Sequence, residues 1–277
     1  MAVHPSRPLD GAIETLAAWA SRNDVELVQI VASERRVFPL AEAAPSDLVV
    51  ALGGDGTALT ALRAAEPVRA PVLAVACGSV GALSTVTAGE LGDALDRVRA
   101  GDWARCTVPA LAVSTPEGKT AIALNDVVLV RRGSGQLVAE VALDGEPYIR
   151  LAGDGVIVAT ALGSSGYTMA AGGPLLTLRT AAFLCTPIAM HGGSAAPLVV
   201  PAESVLTVEV QPSYGGFDIE LDGQRHALEA HSFRLTLEPD RATLVRFSVT
   251  DQGVRRLRER GLIADSPRAL VRMRRQT

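Results

Sequence analysis

Gly53-Gly54-Asp55-Gly56-Thr57 is the segment whose residue types point most directly to chemistry. It lies between an apolar stretch, Asp47–Leu52, that reads as a strand and a helical pattern that begins near Thr57. Glycines let a backbone approach a phosphate closely, and a helix N-terminus offers unpaired N–H groups to an anion. Gly53, Gly54, Gly56 and Thr57 are therefore candidate phosphate-binding residues. A carboxylate among phosphates would repel them, so Asp55 makes sense with a metal ion, or as acceptor of a proton from a substrate hydroxyl. The alternative is a tight strand-to-helix turn capped by Asp55.

Two further segments carry polar groups in small-residue settings. Asn125-Asp126 follows Ala121–Leu124 and precedes Val127–Val130. A carboxylate accepts two hydrogen bonds, so the pair could grip vicinal ribose hydroxyls, the alternative being an Asx turn between strands. Asp154–Pro174 reads as a strand, a hydroxyl-bearing turn with Thr160, Ser164 and Ser165, and a short helix carrying Tyr167 that ends at Gly172-Gly173-Pro174. Hydroxyls beside a ring suit an adenine site, and a close-packed turn is the competing reading.

The elements that must position these residues change character along the chain. The first hundred residues alternate strand-like and helix-like stretches, the form of an α/β domain with a mostly parallel sheet. Helices are expected over Asp10–Arg22, with Asp10 as N-cap, over Thr57–Ala65, and over Glu90–Ala100, closed by Gly101. Strands are expected over Glu26–Ala32, Asp47–Leu52 and Pro71–Ala76. From about Arg105 short alternating apolar segments follow: Leu111–Ser114, Ala121–Val130, Leu137–Leu143, Gly155–Ala159, Ser204–Val210, Phe217–Leu221 and Thr243–Thr250. Asp144-Gly145 and Asp222-Gly223 mark tight turns, and a last helix is expected over Gln252–Arg260, ending at Gly261.

Composition narrows the function classes. The 277 residues are 48% apolar and 20% charged, a globular balance, with a net charge of −4 that gives no overall attraction to nucleic acid or anionic lipid. Three widely spaced cysteines, Cys77, Cys106 and Cys185, form no disulfide framework or zinc motif and suit a reducing cytoplasm. No apolar run approaches the ~20 residues of a membrane span, and the N-terminus has no signal-peptide core. The four histidines show no ligand spacing, and His191 reads as a hydrogen-bonded structural residue. The arginines from Arg255 to Arg275 read as a solvated helix face and a frayed tail.

Taken together, Gly53–Thr57, Leu124-Asn125-Asp126, Asp154–Pro174 and Asp222-Gly223-Gln224 stand in the order and approximate spacing of the NAD kinases, and the chain resembles that family over nearly its whole length. The resemblance implies an N-terminal Rossmann-like α/β domain, residues 1–104 with a returning tail at 251–277 that includes Leu257–Arg260. It implies a C-terminal β-sandwich-like domain at 105–250. It implies transfer of the ATP γ-phosphate to the adenosine ribose 2′-hydroxyl of NAD, giving NADP, with Mg²⁺ or another divalent cation and as a homodimer or homotetramer. By the same resemblance Asp55 is the catalytic residue or metal organiser, and Asn125 and Asp126 hold the NAD ribose. Asp154 reaches the nicotinamide side, and Thr160, Ser165, Gly166 and Tyr167 border the acceptor, the last three beside adenine.

Three departures bear on the acceptor. Thr160-Ala161-Leu162-Gly163-Ser164-Ser165-Gly166-Tyr167 has Leu162 where the family usually has a threonine. Ala76 replaces the usual Asn ahead of Gly78-Ser79-Val80-Gly81-Ala82, itself lacking the family's Arg and Phe, and Ala196 replaces a frequent basic residue. These changes keep open a paralogue acting on another nucleoside-like or small hydroxylated acceptor and a nucleotide sensor without turnover, and the sequence leaves polyphosphate open beside ATP as the donor.

Overall fold

The computed structural model describes residues 1–31, 35, 37–45, 47–248, 258, 261 and 263–274. The chain divides into two compact units, Met1–Cys106 with Thr243–Thr277, and Thr107–Ala242.

The first unit is built on parallel strands. β1 (Ala2–Val3) pairs with β2 (Val49–Gly53), and β2 pairs with β3 (Pro71–Ala76) from Val49↔Val72 to Gly53↔Ala76. The other edge of β3 is shared by β4 (Val86–Thr87) and by Thr243 and Leu244, which run parallel to Pro71 and Val72. β2 is buried at every position, as expected of a parallel strand covered on both faces. Helices α1 (Ala12–Asn23), α2 (Asp55–Ala65) and α3 (Leu91–Arg99) cover the sheet. Leu16, Trp19 and Ala20 of α1 share one core with Leu91, Ala94 and Leu95 of α3, and the Trp19 indole donates to Asp96 at 2.7 Å.

Two expectations fail here. Asp10 does not cap α1: the N-cap is Gly11, at φ 74°, with no side-chain bond, because Asp10 is itself left-handed at φ 50°. Glu26–Val31 is not a strand but makes one isolated bridge, Gln29↔Leu40. Its backbone bonds are divided between Met1 on one side and Pro39 and Ala41 on the other, so no ladder grows, and β1 takes the sheet edge instead.

The second unit is a sandwich of two sheets. One is wholly antiparallel, in the order β12 (Leu198–Pro201), β11 (Ala182–Ile188), β10 (Gly155–Ala159), β7 (Asp126–Arg131), β14 (Phe217–Leu221), β15 (Gln224–His226). The other holds β9 (Glu146–Gly153), β8 (Leu137–Leu143), β13 (Leu206–Val210) and β16 (Ser232–Arg246), with β5 (Ala104–Ser114) pairing β16 and β6 (Thr120–Ala123) pairing β5. Val127, Leu129, Val156, Val158, Phe183 and Cys185 of the first sheet meet Leu137, Val141, Leu206, Val208, Phe233 and Leu235 of the second in one core. The opposite face of β10 is covered too: Ile157 and Ala159 form a cluster with Val128 and Leu184, against which Ala171 and Leu176 pack, so β10 is buried throughout.

The expected strand Ala121–Val130 is two, β6 and β7, separated at Leu124-Asn125; of the expected strand Thr243–Thr250, Thr243–Arg246 is the end of the longer β16, and residues 249–250 lie outside the described residues. The helix expected over Gln252–Arg260 lies outside the described residues, Arg258 and Gly261 apart. A helix over Pro267–Arg274 occupies the part expected to fray.

Candidate active site

The phosphate-loop candidates lie together in the first unit. β2 ends at Gly53, and a Cβ there would stand 2.4 Å from Thr57 Oγ1 and 3.1 Å from His4 Cβ, so only glycine permits this approach. Gly54 is the N-cap of α2 and Asp55 its first residue. The first N–H groups of a helix lack intrahelical acceptors, and the macrodipole makes that end positive. Gly54, Asp55, Gly56, Thr57 and Thr60 line a cleft of about 720 Å³, with Arg7 on its wall. The Arg7 loop is folded onto His4, whose Nδ1 accepts the Ser6 and Arg7 N–H groups at 3.2 and 3.0 Å.

Asp55 does not cap its own helix. Its Oδ2 accepts the Ala82 N–H and its Oδ1 the Leu83 N–H, both at 3.0 Å, which fixes the plane of a half-buried carboxylate. Each carboxylate oxygen has a second acceptor site, so these two bonds are compatible with a proton or a cation at the same group. A Cβ on Gly81 would lie 2.0 Å from Asp55 Oδ1. The loop that lacks the resembled family's Arg and Phe thus acts here through its backbone.

In the second unit three distant segments converge. Leu124-Asn125 joins β6 to β7, and its N–H groups point at the carboxylate of Asp222 in the β14–β15 turn. Asp222 Oδ1 accepts from Asn125 at 2.6 Å and from Asp126 at 3.3 Å, and Oδ2 accepts from Leu124 at 3.2 Å. The Asp222 N–H returns a bond to the Asp126 carbonyl at 2.9 Å. From the third segment, the Thr160 hydroxyl donates to the Leu124 carbonyl at 2.6 Å and the Thr160 N–H to the Asn125 carbonyl at 2.9 Å. Gly163 presses on the same turn, where a Cβ would sit 2.1 Å from the Asn125 carbonyl oxygen.

The turn therefore holds Asn125 and Asp126 in fixed positions. The Thr160 hydroxyl is fully buried and also accepts the Leu162 and Gly163 N–H groups at 3.1 and 3.2 Å, so it braces the turn from inside. Asp126 is 7% exposed. Burial first, then the charges of Asp222 and Glu220, push its carboxyl up to about 7.

A raised carboxyl pKa favours the protonated form in the fold, so stability from this group is present at acid pH and lost as pH rises from about 4 through about 7. Asp126→Asn is accordingly expected to raise the melting temperature at pH 8 more than at pH 5, as differential scanning calorimetry at the two pH values would register.

The remaining candidates spread along the first sheet. Asp154 and Thr160 flank opposite ends of β10, roughly 20 Å apart for six extended steps. Asp154 pairs with Arg131, Nε to Oδ1, at 2.5 Å. Ser165 is half-buried, Gly166 is exposed and Tyr167, 44% exposed, begins helix α4 (Tyr167–Ala170). Leu162 and Ala76 are buried, at 8% and 2%. His191 is exposed and contacts Gln136 Oε1 at 3.3 Å. In the sequence Asp222 reads as a turn former and as part of the Asp222-Gly223-Gln224 segment, with no sign that it holds Asn125 and Asp126. Its position in an Asp-Gly pair, at φ 51°, serves both purposes, but nothing local announced the second.

Residues 10–103 match the model of the ATP-NAD kinase N-terminal domain, and residues 124–238 match that of the ATP-NAD kinase C-terminal domain. The chain belongs to the NAD kinase family. It is 36% identical to an NAD kinase of Heliobacterium modesticaldum over 64% of this chain and 65% of that one, just under two thirds of the relative's length. It is 33% identical to an NAD kinase of Koribacter versatilis over 79% of this chain and 82% of that one.

The fold of this NAD kinase family member is shared with two crystal structures. One is yeast NADH kinase complexed with NADH, at TM-score 0.78 and 22% identity, over 95% of this chain and 87% of that one. The other is an NAD kinase from Archaeoglobus fulgidus in complex with ATP, at TM-score 0.73 and 23% identity, over 95% and 98%. The chain carries the family's two domain types, at residues 10–103 and 124–238. Among its described residues no helix is long and apolar enough to cross a membrane.

Proposed function

We propose that this chain is an ATP-dependent NAD kinase, transferring the γ-phosphate of ATP to the 2′-hydroxyl on the adenosine ribose of NAD to give NADP. The observation that carries this reading is Asp55, a carboxylate clamped by two backbone N–H groups at the mouth of a glycine-lined helix N-terminus. Phosphoryl transfer asks a protein mainly for alignment and charge neutralisation. The first unit supplies these to the donor: N–H groups of Gly54–Thr57 cradle phosphate oxygens, Arg7 adds positive charge from the cleft wall, and Asp55 accepts the proton of the attacking hydroxyl.

The second unit holds the acceptor. Asn125 and Asp126 grip the ribose hydroxyls, Ser165, Gly166 and Tyr167 border adenine, and Asp154 faces the nicotinamide half. Of the three departures, Leu162 and Ala76 are buried and change the packing, while Ala196 is exposed and omits a basic group at the surface.

Among the described residues no group of three or more His, Cys, Asp or Glu side chains could hold a metal ion. That fits Mg²⁺, which keeps several waters and binds through one or two carboxylates together with substrate phosphates. Asp55, half-buried and lining the cleft, is the carboxylate that would hold it. When bound, the ion neutralises charge that develops on the transferred group. A homodimer or homotetramer in the cytoplasm completes the reading.

Incubation of the pure protein with ATP, Mg²⁺ and a panel of hydroxylated acceptors, with products identified by mass, is expected to yield NADP from NAD. A phosphorylated product from another acceptor, with none from NAD, overturns the assignment. The pH dependence adds a test of Asp126: its ionised form accepts both hydroxyls, so the KM for NAD should fall about tenfold between pH 6 and pH 8. The KM for ATP should not follow it, and Asp126→Asn should flatten the curve.

A further inference from the structure

We propose that Arg246 is a positioning residue for Asp55, acting through the backbone of the Gly81–Thr85 loop. The inference rests on the catalytic role proposed above for Asp55. Arg246 is the last residue of β16. Its Nη1 donates to the Leu83 carbonyl at 3.0 Å and to the Thr85 hydroxyl at 2.7 Å. The Thr85 hydroxyl donates its own proton to the Val245 carbonyl at 2.8 Å, and the Thr85 N–H donates to the Ala74 carbonyl at 2.6 Å. The loop is thus tied to two neighbouring strands at its C-terminal end.

Leu83 carries this restraint to the carboxylate. Its carbonyl is held by Arg246 and its N–H is one of the two that fix Asp55. Charge-assisted bonds are shorter and stronger than neutral ones, and a guanidinium offers donors in a rigid fork. One cation therefore anchors a two-bond relay, Arg246 to Leu83 to Asp55. At the other end of the loop the buried Ser84 hydroxyl accepts the Gly81 N–H at 3.0 Å. That bond keeps Gly81 against Asp55 Oδ1, where no side chain fits.

The relay matters because Asp55 sits at a helix start beside open cleft, where the Ala82 and Leu83 N–H groups set the plane of its carboxylate. Without a fixed loop the carboxylate would rotate toward solvent, and a misplacement of about 1 Å in a reacting group costs on the order of 10²-fold in rate. Arg246 thus governs turnover without touching substrate.

The test compares Arg246→Met, Arg246→Lys and Thr85→Val. In wild-type background, Arg246→Met should lower kcat about 10–100-fold while the KM values for ATP and NAD stay within about twofold. Arg246→Lys should recover part of the loss, since an ammonium reaches one of the two acceptors. Thr85→Val, nearly the same shape without the hydroxyl, should lower kcat by a smaller factor and serves if Arg246→Met fails to fold. In an Asp55→Asn background, Arg246→Met should have little further effect on kcat, because the group it positions is gone.

Wild-type kcat in a folded Arg246→Met or Thr85→Val protein, or losses that multiply with that of Asp55→Asn, would overturn the inference. A fully active Asp55→Asn enzyme would instead remove the catalytic reading of Asp55 on which it rests.

Discussion

Asp55→Asn is expected to leave a folded protein whose turnover is lower by about 10²–10⁴-fold, the usual contribution of a positioned general acid–base group. The amide cannot take the proton of an attacking hydroxyl, and it brings no negative charge to a cation. The geometry adds a second cost. Both carboxylate oxygens accept backbone N–H groups, from Ala82 and Leu83, so in either flip of the substituted side chain its NH₂ would face a donor. One such lost bond costs roughly 1–3 kcal/mol where water cannot replace it. A modest fall in melting temperature should therefore accompany the large fall in kcat. Near-normal turnover in a folded Asp55→Asn variant would remove Asp55 from the mechanism.

Asp222→Ala should give the largest combined loss of stability and acceptor binding. One carboxylate accepts three successive N–H groups, those of Leu124, Asn125 and Asp126, and alanine leaves all three without it. With water replacing part of the loss, a cost of about 2–4 kcal/mol is expected. At about 2–4 °C per kcal/mol for a protein of this size, the melting temperature should fall by roughly 5–15 °C. Because Asn125 and Asp126 ride on this turn, the KM for NAD should rise at least about tenfold while that for ATP changes little.

Removing the Asp222 charge also relieves one cause of the raised Asp126 pKa, so the fall in KM for NAD should move to lower pH. Equal changes in both KM values, with no shift along the pH axis, would point to a general defect of the fold.

The parts of this protein legible in its sequence are those fixed by local rules. β3, β8, β10 and β14 fall on the apolar runs that marked them, and α2 follows its glycine loop. β11 went unmarked because Thr186-Pro187 cuts its apolar run short, and β1 because two residues make no pattern. The site divides in the same way. Gly53–Thr57 and Asn125-Asp126 announce themselves by residue type. Asp222 acts on backbone 96–98 residues away and Arg246 on backbone 163 residues away, and no window of sequence contains such a pairing. The Asp126 shift needs burial and two carboxylates brought in by a separate hairpin, which residue type alone does not convey.

Thr243 and Leu244 complete the edge of β3 beside Pro71 and Val72, after a whole second unit has intervened in the chain. During synthesis, residues 1–100 leave the ribosome with the Pro71–Val72 part of that edge open, and the segment that closes it follows only after the whole second unit. Pairings so far apart in sequence form slowly, and an uncovered strand edge is a template for association with other chains. Translation speed and chaperone capture should therefore weigh on the yield of the first unit far more than on that of the second, whose strands are all encoded in one uninterrupted stretch.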